Sequence, residues 1–273
     1  MHPIISEVKK REKAGKLCGA ARAMIENYLA LPLGAGPNAR PNCPYFNNRR
    51  RKIRGSLRVV KGKGTPEEIA EEAMIDAKFA RVKTSGLPAG KLKEFLIKND
   101  LGIDCSGFAY HVLNTLCQEK TGKKLQSFVK PLRAGFIGAL LGRLRPAENI
   151  GVIAFADRKN SSAIKISEAG PGDIIIFLGT GKDKNYNHIL VITAVDRTNS
   201  DTLATRISYA HSYVWPSDGV VGHGVREGEI LVRGEDLIGG TWKEKGVTGE
   251  ENYTFESARN AIEVFVRRLN FNL

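Results

Sequence analysis

The sequence predicts an α+β fold, with helices in the first half of the chain and β-strands in the second. Two segments before residue 123 combine helical periodicity with capping residues at their starts. From residue 171 onward, continuous apolar runs alternate with short polar loops, which is typical of antiparallel strands. With 273 residues, 42% of them hydrophobic, the chain is long enough to bury a substantial core.

Residues 1–89 are interpreted as a basic, partly helical N-terminal extension. A helix is expected over about residues 6–30, followed by a stretch rich in Pro, Gly and Asn. The next stretch, RRRKIRGSLRVVKGKG, has no acidic residue, and the whole chain carries a net charge of +13. The net charge favours an anionic partner such as nucleic acid, a membrane surface or a cell-wall polymer. The basic stretch is expected to hold an anionic polymer, and the alternatives are a regulatory segment across the groove and a solvated, partly ordered extension. The cationic residues expected to contact such a polymer are Arg49, Arg50, Arg51, Lys52 and Arg54.

The stretch TPEEIAEEAMIDAKFARVK carries the clearest helix signature in the chain. Thr65 is a suitable N-cap, Pro66 suits the first helical position, and Glu68 completes a capping box. Glutamates fill the first turns and cations fill the last turns, which matches the helix dipole. We interpret this helix as scaffold.

The stretch GIDCSGFAYHVLN places Cys105 at the start of a second helix with an apolar stripe. Asp104 is the expected N-cap, and Gly122 is the expected end. The free backbone N–H groups and the dipole at a helix start favour a thiolate and an oxyanion, so Cys105 is a candidate nucleophile. The alternative is a small buried packing residue, which is the commoner role of a single cysteine.

The histidines that suit a nucleophilic cysteine lie on the predicted strands. PGDIIIFLG, HILVITAVD and ATRISYAHSYV predict three strands. AIEVFVRRLNF at the C-terminus is interpreted as a fourth strand from its valine and phenylalanine content, and a helix is the alternative. His188 begins one strand and His211 lies near the end of the next, so pairing brings them within reach of each other. A cysteine, a histidine and a third polar group form an activated nucleophile. His223 is the alternative third member, and His111 is expected to be a surface or packing residue because it is turned away from Cys105.

The successive stretches DCSGF, PGDIIIF, NHILVI and ISYAHS resemble the signatures of the NlpC-type, papain-like cysteine peptidases of the bacterial cell wall. The resemblance covers about residues 90–273, with an insertion at about 123–170. It implies a papain-like fold in which the helix that carries the nucleophile packs on an antiparallel sheet. The activity implied is thiol-dependent cleavage of an amide bond in a peptidoglycan stem peptide, without a metal or organic cofactor.

The same resemblance assigns roles to individual residues. Cys105 is the nucleophile, His188 its general base, and His211 the third polar residue. Asp104 and Ser106 line the substrate pocket, where Asp104 binds a free amino group of the substrate. The alternatives are a related amidase or acyltransferase, or a catalytically silent basic module that binds an anionic polymer.

The sequence contains no sign of membrane insertion. No apolar run approaches the roughly 20 residues of a spanning helix, and the N-terminal apolar stretch is interrupted by polar residues. A cytoplasmic location is therefore the default expectation, with export or association with the cell wall as the alternative. The four cysteines are far apart in the chain, and we expect them to be reduced.

Overall fold

The fold is α+β, as predicted. It is described by a computed structural model for residues 15–17, 19–33, 39–48, 57–132, 144–197, 204–244, 247–248 and 251–272. The five cationic residues expected to bind an anionic polymer lie outside these ranges. No helix in the described ranges is long and apolar enough to cross a membrane.

The secondary structure follows the order that the sequence predicts, with most helices before the strands. The helices of the described residues are α1 Gly19–Leu29, α2 Pro66–Phe79, α3 Ala89–Lys98, α4 Cys105–Thr121, α5 Pro146–Asn149, α6 Val152–Ala156, α7 Gly219–Gly222 and α8 Tyr253–Arg259. The strands are β1 Ser161–Ile164, β2 Ile174–Thr180, β3 Tyr186–Arg197, β4 Ala204–Tyr213, β5 Gly224–Arg233, β6 Asp236–Glu244, β7 Val247–Thr248 and β8 Glu263–Leu269.

Both helices with predicted caps begin where their capping residues indicate. At α2, Thr65 accepts a hydrogen bond from the Glu68 N–H at 3.3 Å, and the Glu68 carboxylate accepts the Thr65 N–H at 2.9 Å. At α4, the Asp104 carboxylate accepts the Gly107 N–H at 2.7 Å. Gly122 then ends α4 with a φ of 70°, a conformation that glycine adopts without strain. These predictions are confirmed, and they fix the start of the helix that carries Cys105.

All strand pairs of the sheet are antiparallel, in the order β1-β8-β2-β3-β4-β5-β6-β7. The predicted strands PGDIIIFLG, HILVITAVD and ATRISYAHSYV correspond to β2, β3 and β4, and the C-terminal strand is β8. Strand β1 belongs to the predicted insertion, and β8 pairs with both β1 and β2. The C-terminal strand therefore connects the insertion to the rest of the sheet.

The two faces of the sheet carry different hydrophobic clusters. Ile189 and Val191 of β3 pack in the first cluster together with α4, whereas Leu190 and Ile192 pack in the second cluster on the opposite face. Helices α1 and α2, which the sequence analysis assigns to the N-terminal extension, also belong to the first cluster. The described parts of residues 1–89 therefore share one core with the helix that carries Cys105.

Candidate active site

A cleft of about 1190 Å³ opens beside the start of α4. Asp104, Cys105 and Ser106 line it, together with Lys61, Lys63 and the residues that precede His188. Much of the remaining wall consists of residues 145–154, which belong to the predicted insertion. The nucleophile candidate therefore lies at a cavity large enough for a peptide segment.

The Cys105 thiol lies where β3 and β4 have separated. The register between these strands begins at Val191 and Ala210, so Ile189 precedes the paired segment. The backbone N–H of Ile189 is directed at the Cys105 sulfur. The helix start and the first residues of β3 thus meet at the thiol, one residue away from His188.

The thiol is neutral at physiological pH. Burial raises the pKa of Cys105 to about 12, and the neighbouring Asp104 carboxylate adds to this rise. Lys63 and the backbone N–H groups of Ile189 and Ser106 act in the opposite direction but are outweighed. The pKa of Cys105 therefore departs from its ordinary value in the direction opposite to the expectation for a helix start, because desolvation outweighs the backbone N–H groups that favour the thiolate.

His188 lies on the face of the sheet opposite to α4. Its ring stacks on Tyr213 with 4.0 Å between centroids and also contacts Phe177 of the second cluster. His188 Nε2 lies 2.7 Å from His211 Nδ1, so the predicted proximity of the two histidines is confirmed. Within the described residues no hydrogen bond joins His188 to Cys105. Tyr213, on which the His188 ring stacks, lies close enough to Cys105 to interact with it electrostatically.

Glu244 of β6 continues the histidine pair into the core. Its Oε1 lies 3.1 Å from His211 Nε2 and accepts the Tyr209 hydroxyl at 2.6 Å. The side chains of His211 and Glu244 are completely buried. Burial alone would raise the pKa of Glu244, but His211, Tyr209 and the nearby Arg226 together hold that pKa below its ordinary value.

This chain of hydrogen bonds defines which nitrogen atoms carry protons. Burial lowers the pKa of both histidines, so both rings are neutral at pH 7. An ionised Glu244 only accepts hydrogen bonds, so His211 Nε2 is the protonated nitrogen and His211 Nδ1 is an acceptor. His188 must then donate from Nε2, which leaves Nδ1 of His188 as the basic atom.

Arg226 lies next to the Glu244 carboxylate at the end of this hydrogen-bond chain. Its side chain is buried, donates to Asp218 at 2.6 Å, and lies over the Trp215 ring at 4.4 Å from the centroid. One of its nitrogens is 3.6 Å from Glu244 Oε2, which has no hydrogen-bond partner in the described residues. The positive charge of Arg226 favours the ionised form of Glu244 over distance rather than through a direct hydrogen bond.

The other predicted site residues have different surroundings. Asp104 and Ser106 both accept hydrogen bonds from the Lys63 ammonium, at 2.8 and 2.6 Å. His223 accepts the backbone N–H of Tyr45 at 3.2 Å. His111 is buried and its Nε2 lies 2.9 Å from the Lys63 carbonyl oxygen, so of the two expected roles, surface or packing, it has the packing role. Of His211 and His223, the first is the histidine that contacts His188.

Sequence reasoning missed Glu244, Tyr209, Arg226 and Lys63. Side chains two residues apart on a strand lie on the same face of the sheet, so the position of Tyr209, two residues before His211, could have indicated that the two side chains are neighbours. The contact between His211 and Glu244 spans 33 residues and requires β5 between β4 and β6, which no local pattern indicates.

Comparisons with protein-family models, with curated proteins and with solved structures find no match to this chain. In the part of the chain that the structure describes, no group of three or more His, Cys, Asp or Glu side chains is placed to hold a metal ion.

Proposed function

We propose that this protein is a thiol hydrolase that cleaves an amide bond through an acyl-enzyme on Cys105. One observation carries the proposal. A buried hydrogen-bond chain from Glu244 through His211 ends at His188, and the next residue, Ile189, directs its N–H at the Cys105 thiol. A nucleophile, a base and a group that orients the base are the parts that such catalysis requires.

Acylation begins from a neutral pair. The Cys105 sulfur attacks the carbonyl carbon of the amide while its proton passes to Nδ1 of His188. The resulting oxyanion accepts the backbone N–H of Cys105 at the start of α4. When the C–N bond breaks, His188 returns the proton to the leaving amine, and the acyl group remains on sulfur as a thioester.

Deacylation uses the same groups in reverse. His188 takes a proton from water, and the hydroxide equivalent attacks the thioester carbonyl. The C–S bond then breaks, the acid product leaves, and the proton returns to the Cys105 sulfur. Glu244 and His211 stabilise the His188 imidazolium during both steps, since the ionised carboxylate lies at the end of the chain.

We further propose a papain-like arrangement of the NlpC type and a peptidoglycan stem peptide as substrate. The support is the joint occurrence of DCSGF, PGDIIIF, NHILVI and ISYAHS, together with the packing of α4 on the antiparallel sheet. The cleft beside Cys105 has the volume that a short peptide needs.

Digestion of purified peptidoglycan and soluble muropeptides tests the proposal, with the products identified by mass spectrometry. New amine termini are expected with the wild-type protein and are absent with Cys105→Ala. Identical product spectra for the two proteins would show that peptidoglycan is not the substrate.

The second candidate is a catalytically silent module that keeps the same arrangement. The observation that favours it is the neutral, buried thiol, which lacks a hydrogen bond to His188 in the described residues. Such a module predicts that no electrophilic peptide reacts with Cys105 faster than with an ordinary buried thiol. An active hydrolase predicts that a peptide electrophile, which binds in the cleft, labels Cys105 rapidly and that this labelling is lost in His188→Ala.

A further inference from the structure

Lys63 is fixed in the wall of the cleft by its backbone. Its N–H donates to the Arg58 carbonyl at 3.0 Å, and its own carbonyl is bonded by the His111 ring at 2.9 Å. It also forms an isolated antiparallel bridge with Ile103, just before the start of α4. The lysine therefore lies on a rigid segment that runs beside the nucleophile.

The Lys63 side chain is directed along the first turn of α4. Its ammonium donates to Asp104 at 2.8 Å and to Ser106 at 2.6 Å. Gly107 leaves room for the side chain, since a Cβ at that position would lie 3.0 Å from Lys63 Cδ and 2.8 Å from the Gly62 carbonyl oxygen. The Asp104 carboxylate, the Ser106 hydroxyl and the space left by Gly107 together form a binding site for one ammonium group.

This site lies beside the reacting atom. Asp104 directly precedes Cys105, and Lys63, Asp104 and Ser106 all line the cleft. An ammonium group on a substrate that reached Asp104 would meet a carboxylate already neutralised by Lys63, and it would be repelled by the lysine charge. An uncharged acyl group suffers no such repulsion.

We propose that Lys63 is a specificity-determining residue that occupies the ammonium site at Asp104 with a group of the chain itself. The cleft then takes peptides whose amino end is blocked or continues into a longer chain, and it rejects peptides with a free amino group next to the scissile bond. This inference rests on the proposed thiol hydrolase function. It replaces the expectation that Asp104 binds a free amino group of the substrate.

A second lysine in the same cleft provides a matched control. Lys61 donates to Glu148 at 2.6 Å, and both residues line the cleft. The exposed fractions of the side chains are 13% and 14% for this pair, against 11% and 14% for Lys63 and Asp104. The two pairs thus have the same chemistry and the same burial, but only Lys63 contacts the residue before Cys105.

The experiment uses alanyl-alanine chloromethyl ketone with a free amino group and the same compound with an N-acetyl group. The Cys105 sulfur displaces chloride from the chloromethyl carbon, which forms a thioether, and the thiol proton is taken up by His188 or solvent. Rates of adduct formation are measured by intact mass spectrometry for the full chain, and Cys105→Ala gives the background from other thiols.

The wild-type protein is expected to react about tenfold or more faster with the acetylated probe, the scale of one charge-assisted hydrogen bond. Lys63→Met is expected to reverse this preference, because it leaves the Asp104 carboxylate open to the ammonium of the probe. Lys61→Met is expected to keep the wild-type ratio.

A wild-type preference for the free amino group overturns the proposal without any variant, so it remains testable if Lys63→Met does not fold. An unchanged ratio in a Lys63→Met protein with a wild-type circular dichroism spectrum also overturns it. If neither probe labels the wild-type protein above the Cys105→Ala background, the hydrolase function itself is wrong, and the specificity proposal falls with it.

Discussion

The two halves of the candidate site differ in how each is held. The histidine half consists of His188, His211 and Glu244, which lie within the sheet on the face opposite to α4 and are almost completely buried. The cysteine half consists of Cys105 with Asp104 and its partners, and it lines a cleft of about 1190 Å³. One half is enclosed by strands and the other is open to a ligand.

This difference separates two tasks. In the histidine half, the hydrogen bonds define one protonation state for each ring and therefore one basic atom. In the cysteine half, an ammonium group and a carboxylate lie beside Cys105 in the wall of the cleft. In the proposed hydrolase, the histidine half would control proton transfer and the cysteine half would select the substrate.

The largest expected effect is the loss of amide hydrolysis when either half loses its reacting group. Cys105→Ala and His188→Gln are each expected to reduce kcat/KM by about 10⁴-fold or more, as in other nucleophile–base pairs. The measurement is the rate of product formation in the peptidoglycan digest. Cys117→Ala, which removes another buried thiol of α4, is the control and should retain activity. Hydrolysis that survives Cys105→Ala would remove the cysteine half from the mechanism.

Alkylation of the protein without substrate tests whether the Cys105 side chain is a neutral thiol. The ordinary pKa of a cysteine thiol is 9.0, and that of Cys105 is about 12. At pH 7 the thiolate fraction of Cys105 is therefore lower in the folded chain than in the unfolded chain. Iodoacetamide should therefore modify Cys105 about 1000-fold more slowly in the folded chain than in urea. Peptide mapping by mass spectrometry follows this residue alone. Rapid modification at pH 7 would show instead that His188 and Cys105 form an ion pair across the two halves.

Glu244→Gln tests the histidine half without touching either reacting group. An amide no longer requires the Nε2-protonated form of His211, and it stabilises the His188 imidazolium less, so kcat should fall by about 100-fold. Nitrogen NMR of the two rings should show mixed tautomers in the variant and a single tautomer in the wild type.

Asp173→Asn is the matched control for Glu244→Gln. Asp173 is a buried carboxylate paired with Arg268 at 2.8 Å, away from the cleft. Loss of a buried ionic partner should lower the free energy of unfolding by about 3 kcal/mol in both variants. Only Glu244→Gln should also change kcat, and equal kcat values in the two variants would reduce Glu244 to a stabilising residue.

A smaller effect concerns the acid stability that His111 confers through its contact with the Lys63 backbone. Burial lowers the pKa of His111 from 6.5 to about 4, partly offset by its bond to the Lys63 carbonyl. Because the folded state holds the proton less tightly than the unfolded state, His111 stabilises the fold above pH 6.5, and this contribution is lost as the pH falls towards 4. The loss is about 3 kcal/mol, since one pKa unit corresponds to about 1.4 kcal/mol.

Urea unfolding of the wild type and His111→Gln at pH 6.5 and pH 4.5 measures this contribution. The variant should lose less stability on acidification than the wild type. Equal losses would mean that burial does not lower the pKa of His111 in the folded chain.

Local features of the fold were readable from the sequence. The capping box at Thr65, the N-cap at Asp104 and the end of α4 at Gly122 depend on side chains within a few residues of each other. Strands β2, β3 and β4 have continuous apolar runs, and short polar loops join them, so their antiparallel pairing followed. Pairing alone brought His188 next to His211.

The sequence alone therefore determined the helix starts, the central strands and the candidates Cys105, His188 and His211. The tertiary structure decided which charges surround them. Glu244 reaches His211 across an intervening strand, and Lys63 reaches Asp104 across 41 residues. It also decided the protonation state of the thiol, because burial outweighs the backbone N–H groups that favour the thiolate. Desolvation and long-range ion pairs depend on what packs around a group, and no local pattern contains that information.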